Sequence, residues 1–114
     1  MQAIDYAKAQ IKGKFLRIVL PEAGDERIRE AAAILRSQDL AVPVLFGPDV
    51  PEPTRVQLDL VRSRRPRMTE AMASRLLRKP IYLAAAMVAA GDAAAMVAGA
   101  INPTARVIEA GEML

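Results

Sequence analysis

PIYLAAAMVAAGDAAAMVAGAINPTAR, residues 80–106, decides the fold of this 114-residue chain. Pro80 stands where a first helical turn tolerates proline, and the residues behind it, 81–90, are apolar and mostly small. Gly91 and Asp92 are turn formers. Residues 95–98 then read as a short buried strand, and Gly99 opens a polar loop in which Asn102 or Thr104 caps a further helix carrying Arg106. Helix, turn, strand, loop and helix in that order belong to an α/β protein, where ligands gather beyond the carboxyl ends of the strands. The loop 99–104 is therefore the first candidate site. Its backbone N–H groups can hold an anion, or the loop can be an ordinary strand-to-helix connection. No P-loop or Rossmann glycine pattern accompanies it.

Working outward, residues 15–21, FLRIVLP, form an aliphatic, β-branched run stopped by proline, as in a strand buried within a parallel sheet. Asp25 caps the helix that follows, whose Ile28, Ala32, Leu35 and, beyond it, Leu40 share one face. Residues 42–46 make a second strand, so the crossover is right-handed and at least two strands are parallel. Residues 47–54 hold three prolines and form a loop. Val56, Leu58 and Leu60 then alternate as a strand would, but Leu58 and Val61 also suit a ragged helix. RSRRPR, residues 62–67, places four arginines in six residues, either a solvated turn or a clamp for a phosphate group. Thr69 and Glu70 open a helix whose Met68, Met72, Leu76 and Leu77 are expected in the core. At the amino end, Ile4, Ala7 and Ile11 have helical spacing ahead of Gly13.

Composition narrows the chemistry. Hydrophobic residues are 53% of the chain but aromatic ones only 4%, so the core depends on close approach of small aliphatic side chains. The chain has no cysteine and no histidine, which removes disulfides, thiol nucleophiles, Cys/His metal sites and histidine relays. Any acid–base group must be Asp, Glu, Lys or Tyr, and no metal is expected. Sixteen cations against thirteen anions give +3, which without interleaved aromatic residues argues against a nucleic-acid partner. The first residues lack the apolar core of a secretory signal, and the apolar run 81–90 is about half a membrane span. A cytoplasmic protein with no membrane partner is expected.

Three pieces together resemble the N-terminal part of the phosphate acetyltransferase and butyryltransferase family. IVLPEAGDERIREAAAILRSQDLAVPVLFG is similar to that family's PEG-x-D-x-R strand-to-helix entry. TEAMASRLLRKP follows in order, and AAAMVAAGDAAAMVAGAINPTARVIEAG is similar to its MV-x-x-G-x-AD motif. The resemblance implies a three-layer α/β domain with a small, mostly parallel sheet of three or four strands. Residues 1–114 would form one such domain, the N-terminal portion of a two-domain enzyme whose second domain is absent. It also implies acyl transfer between coenzyme A and inorganic phosphate. Coenzyme A and phosphate would be substrates, with no further cofactor.

Carried over residue by residue, the resemblance assigns phosphate or substrate binding to Arg62, or to Arg64 or Arg65 in its stead, and to Gly99, Asn102, Thr104 and Arg106. It assigns no catalytic residue, since that equipment lies in the family's C-terminal part. The chain departs from the pattern at Ala94, where the family has an acidic residue, and at Glu109, where it often has arginine. The stretch 47–69 is also shorter than in the family. The partners implied are acyl-CoA or acyl phosphate and a second copy in a homo-oligomer, with the chain alone inactive. The alternative is a noncatalytic oligomerising module that covers an exposed apolar face at Ala84–Met87.

Overall fold

The computed structural model describes residues 13–98. Its elements are β1 (Arg17–Leu20), α1 (Glu26–Ser37), β2 (Val42–Leu45), α2 (Arg55–Arg64), α3 (Glu70–Leu76), α4 (Pro80–Ala89) and β3 (Ala95–Met96). The strands form a parallel sheet in the order β2-β1-β3, with Ile18 opposite both Pro43 and Ala95, and Val19 opposite both Val44 and Met96. The α/β fold read from the sequence is thus present. The entry helix expected at residues 3–11 lies outside the described residues.

The central strand sorts its side chains between two faces, as the two-residue period of a strand requires. Val19 joins the main core with Leu58, Val61, Ala73, Leu77 and the buried side of α4. Leu20 is equally buried but stands outside that cluster, as do Ala32 of α1 and Leu40. One face therefore carries α1 and the other carries α2, α3 and α4, the three layers expected. Leu77 and Leu83 are among the largest fully buried side chains, each stabilising the fold by about 1.5–3 kcal/mol through removal from water.

Helix α4 is enclosed all round. Seven consecutive residues, Ile81 through Met87, are buried, with Ala84 and Ala86 at 0% exposure. The apolar face expected on the surface at Ala84–Met87 is thus inside this domain: α2 and β3 already cover it.

Several boundaries differ from the sequence reading for identifiable reasons. Strand β1 starts at Arg17 because Phe15 has φ 55° and is 73% exposed, a conformation no strand contains. Strand β2 ends at Leu45, and β3 is two residues long. Residues 55–64, left between strand and helix, are helical: Thr54 Oγ1 accepts from Gln57 N–H (3.1 Å) while Gln57 Oε1 accepts from Thr54 N–H (2.9 Å), a complete capping box. Met72, expected in the core, is 47% exposed, and Ala73 is buried in its place.

The outer edge of β2 is blunted. Val42 and Phe46 donate to Leu16 and Leu20 on the β1 side, so the alternating residues Pro43 and Leu45 face away. Pro43 has no N–H to offer there, and Arg36 Nη2 donates to its carbonyl at 3.5 Å.

Candidate functional site

In a 2-1-3 parallel order the strand order reverses between β1 and β3, so the crevice beyond their carboxyl ends is where a ligand is expected. The loop leaving β1 is PEAGD, residues 21–25. Ala23 N–H donates to the Phe46 carbonyl (3.4 Å), Arg29 Nη1 donates to the Ala23 carbonyl (2.6 Å), and Asp25 N–H donates to the Glu22 carbonyl (3.0 Å). Gly47 packs close behind, its Cβ direction 3.7 Å from Gly24 N.

This side of the crevice is acidic and already filled. The Asp25 carboxylate accepts from Arg27 N–H (2.8 Å) and from Arg27 Nε (3.1 Å) and Nη2 (2.7 Å). The Arg27 side-chain hydrogen bonds, followed by its backbone N–H, hold that carboxyl at about 2, below its ordinary 3.8. An occupied N-cap and a fixed negative charge leave no anion site at the start of α1. Glu22, 2% exposed at the end of the central strand, adds a buried acidic residue that the sequence reading did not single out. The signal was an acidic residue directly behind the proline that stops a buried strand.

Donors for an anion must then come from the β3 side or from the arginines. Val97 N–H donates to Val19 O (3.0 Å), and Val97 and Ala98 bring the chain to the crevice as the last described residues. Gly99, Asn102, Thr104 and Arg106 lie outside the described residues. Arg62 is described: it is exposed in the last turn of α2, where its Nε donates to the Met68 carbonyl (3.4 Å). Arg64, Arg65 and Arg67, with Pro66, line an open hollow of about 330 Å³. None of these three enters an ion pair among the described residues. The stretch 60–91 carries seven cations and only one anion, Glu70, which is paired with Arg55.

A further group was missed from sequence. Besides closing the capping box, Gln57 donates from Nε2 to Asp92 Oδ2 at 2.9 Å. Arg17 Nη1 donates to the Asp92 carbonyl (3.0 Å), and Ala94 N–H donates to the Arg17 carbonyl (2.8 Å). Gly91 makes the turn with φ 83°, a conformation that favours glycine. Gln57 is 4% exposed, so a buried amide fastens α2 to the turn that launches β3. The T-R-V-Q spacing of the box was visible in the sequence, but its partner 35 residues away was not.

The model of the family described as "Phosphate acetyl/butaryl transferase" matches residues 58–113. A phosphate acetyltransferase of Staphylococcus aureus is 29% identical over 125 positions, covering 89% of this chain and 38% of the relative. One from Nitratidesulfovibrio vulgaris is 31% identical, covering 82% of this chain and 17% of the relative. In three dimensions a phosphotransacetylase from Streptococcus pyogenes superposes with a TM-score of 0.84 at 26% identity, over 96% of this chain and 42% of that one. A phosphotransacetylase from Staphylococcus aureus gives 0.79 at 26% identity, over 96% and 41%. The chain thus spans about two fifths of the length of most of these relatives. It is also shorter inside: 89% of 114 residues is about 101, against 125 aligned positions, so about 24 residues of the first relative face gaps.

Proposed function

Since this chain is a relative of the phosphate acetyl/butyryl transferase family and carries the fold of less than half of it, we propose that it forms one wall of a site for acyl transfer between coenzyme A and inorganic phosphate. The superposition of nearly the whole chain on phosphotransacetylases is the observation that supports this reading most. The crevice at β1 and β3 has an acidic, self-capped side at Asp25. Phosphate is therefore taken up by residues that follow Ala98, namely Gly99, Asn102, Thr104 and Arg106, with Arg62 as a planar donor fork. The cationic stretch 60–91 draws the anionic substrate inward.

Acyl transfer gains its rate from donors placed around the developing charge on every side. One wall binds and does not turn over. Catalysis belongs to an assembly that supplies the opposite wall, in a homo-oligomer or with further protein. Calorimetric titration of the 114-residue chain with phosphate, acetyl phosphate and coenzyme A tests the reading. Saturable binding of an anionic ligand is expected, weakened about tenfold in Arg62→Ala through loss of one charge-assisted hydrogen bond. Absence of binding by all three ligands would overturn it.

A further inference from the structure

From the hydrogen bonds that converge on Asp92 we infer that Gln57, Asp92 and Arg17 form a clasp that sets the position of β3, and with it the direction in which the chain leaves Val97, with Gln57 as the positioning residue. The need for a clasp follows from the strand itself. Strand β3 has two residues and pairs with β1 only at Ile18–Ala95 and Val19–Met96. Beyond these two pairs the strand's exit is tied to β1 by one further bond, Val97 N–H to the Val19 carbonyl at 3.0 Å, so the turn in front of the strand is where holding from outside the sheet has most effect.

It is held by two side-chain bonds and one main-chain bond to β1. The Asp92 carboxylate takes Gln57 Nε2, the Asp92 carbonyl takes Arg17 Nη1, and Ala94 N–H reaches the Arg17 carbonyl. Behind the turn, Asp92 N–H (2.8 Å) and Ala93 N–H (3.3 Å) both donate to the Met87 carbonyl, which locks it to the end of α4. Gln57 is suited to the task because each end of its amide is assigned: Oε1 is held by Thr54 N–H, which leaves Nε2 directed at the carboxylate. A glutamate would complete the same capping box but would turn a second carboxylate toward Asp92. Glutamine is the one of the two box residues that can also bridge to an acid.

The inference rests on the proposed function only for what the residues after Ala98 bind; the clasp can be tested without ligand. Hydrogen exchange would be followed on the full 114-residue chain at the Ala94 and Val97 amides, which bond to β1 across the β3 side, and at the Val42 and Phe46 amides, which bond to β1 across the β2 side. In Gln57→Glu, exchange at Ala94 and Val97 should rise about tenfold or more, the worth of a hydrogen bond to a charged group, while Val42 and Phe46 stay as they were. Asp92→Asn keeps an acceptor for Gln57 and should change little. The double variant Gln57→Glu with Asp92→Asn exchanges donor for acceptor and should restore protection.

A rise at all four amides, or a double variant no better than Gln57→Glu alone, would overturn the clasp and leave Gln57 an ordinary core-stabilising residue. Phosphate titration of the same variants separates the two readings. Wild-type chain that binds no ligand but shows the exchange pattern removes the phosphate site and keeps the clasp.

Discussion

The Asp25 carboxylate lies among three Arg27 donors at 2.7–3.1 Å, and its charged form is favoured so far that its pKa falls from 3.8 to about 2. The folded protein therefore takes up this proton at lower pH than the unfolded chain does. The cap contributes fully above the unfolded value of 3.8, and the contribution is lost as pH falls from there toward about 2. Asp25→Asn retains a capping oxygen but has no charge to lose, so its melting temperature should fall less steeply than the wild type's across that window. Equal slopes in thermal melts would refute the assignment. Because Arg27 is 74% exposed, added salt should shrink the difference. At this scale local signals were readable: Asp25 was identified as a cap from its place before an amphipathic run. The bond from Gln57 to Asp92 was not readable, since nothing within a few residues of either one points to the other.

Helix α4 shows what a run of small residues accomplishes at the level of an element. Its residues Ile81 through Met87 are buried on every side, and α2 and β3 pack against the helix. Ala86→Leu would force three extra heavy atoms into a site with 0% exposure and should cost about 1–3 kcal/mol in urea unfolding, as overpacked cores do. Ala89→Leu, on the exposed last turn of the same helix, should cost little, and equal losses at both positions would contradict the enclosed arrangement. The helix and its small surface were legible from sequence, but its enclosure was not, because periodicity reports one face and α4 has no polar one. In α2 two periods compete in the sequence, and the structure decides for the helical one. Val56, Leu58 and Leu60 alternate, yet Val56 is 62% exposed while Leu58 and Val61 are buried at helical spacing. The capping box at Thr54 favours the helix at its first turn.

Across the whole molecule, the chain covers 42% of the phosphotransacetylase it superposes on best of the two compared. Mixed with acetyl phosphate and coenzyme A, the chain alone should form no acetyl-CoA above the uncatalysed rate, followed by thioester absorbance. Turnover at an enzymatic rate would mean that one wall is enough. The family likeness was legible because two motifs stand in order in one sequence; the filled, acidic side of the crevice became visible only when Asp25 and Arg27 were seen together. No helix among the described residues is long and apolar enough to cross a membrane. Among the described residues β2 is one of the sheet's two edges, and there Pro43 offers no donor and Arg36 occupies its carbonyl. The effect is colloidal. In a crowded solution of this chain a neighbouring strand finds its row of partners interrupted at Pro43, where one donor is missing and the acceptor is already taken, so templating along this edge is weakened by a single imino acid and the arginine beside it.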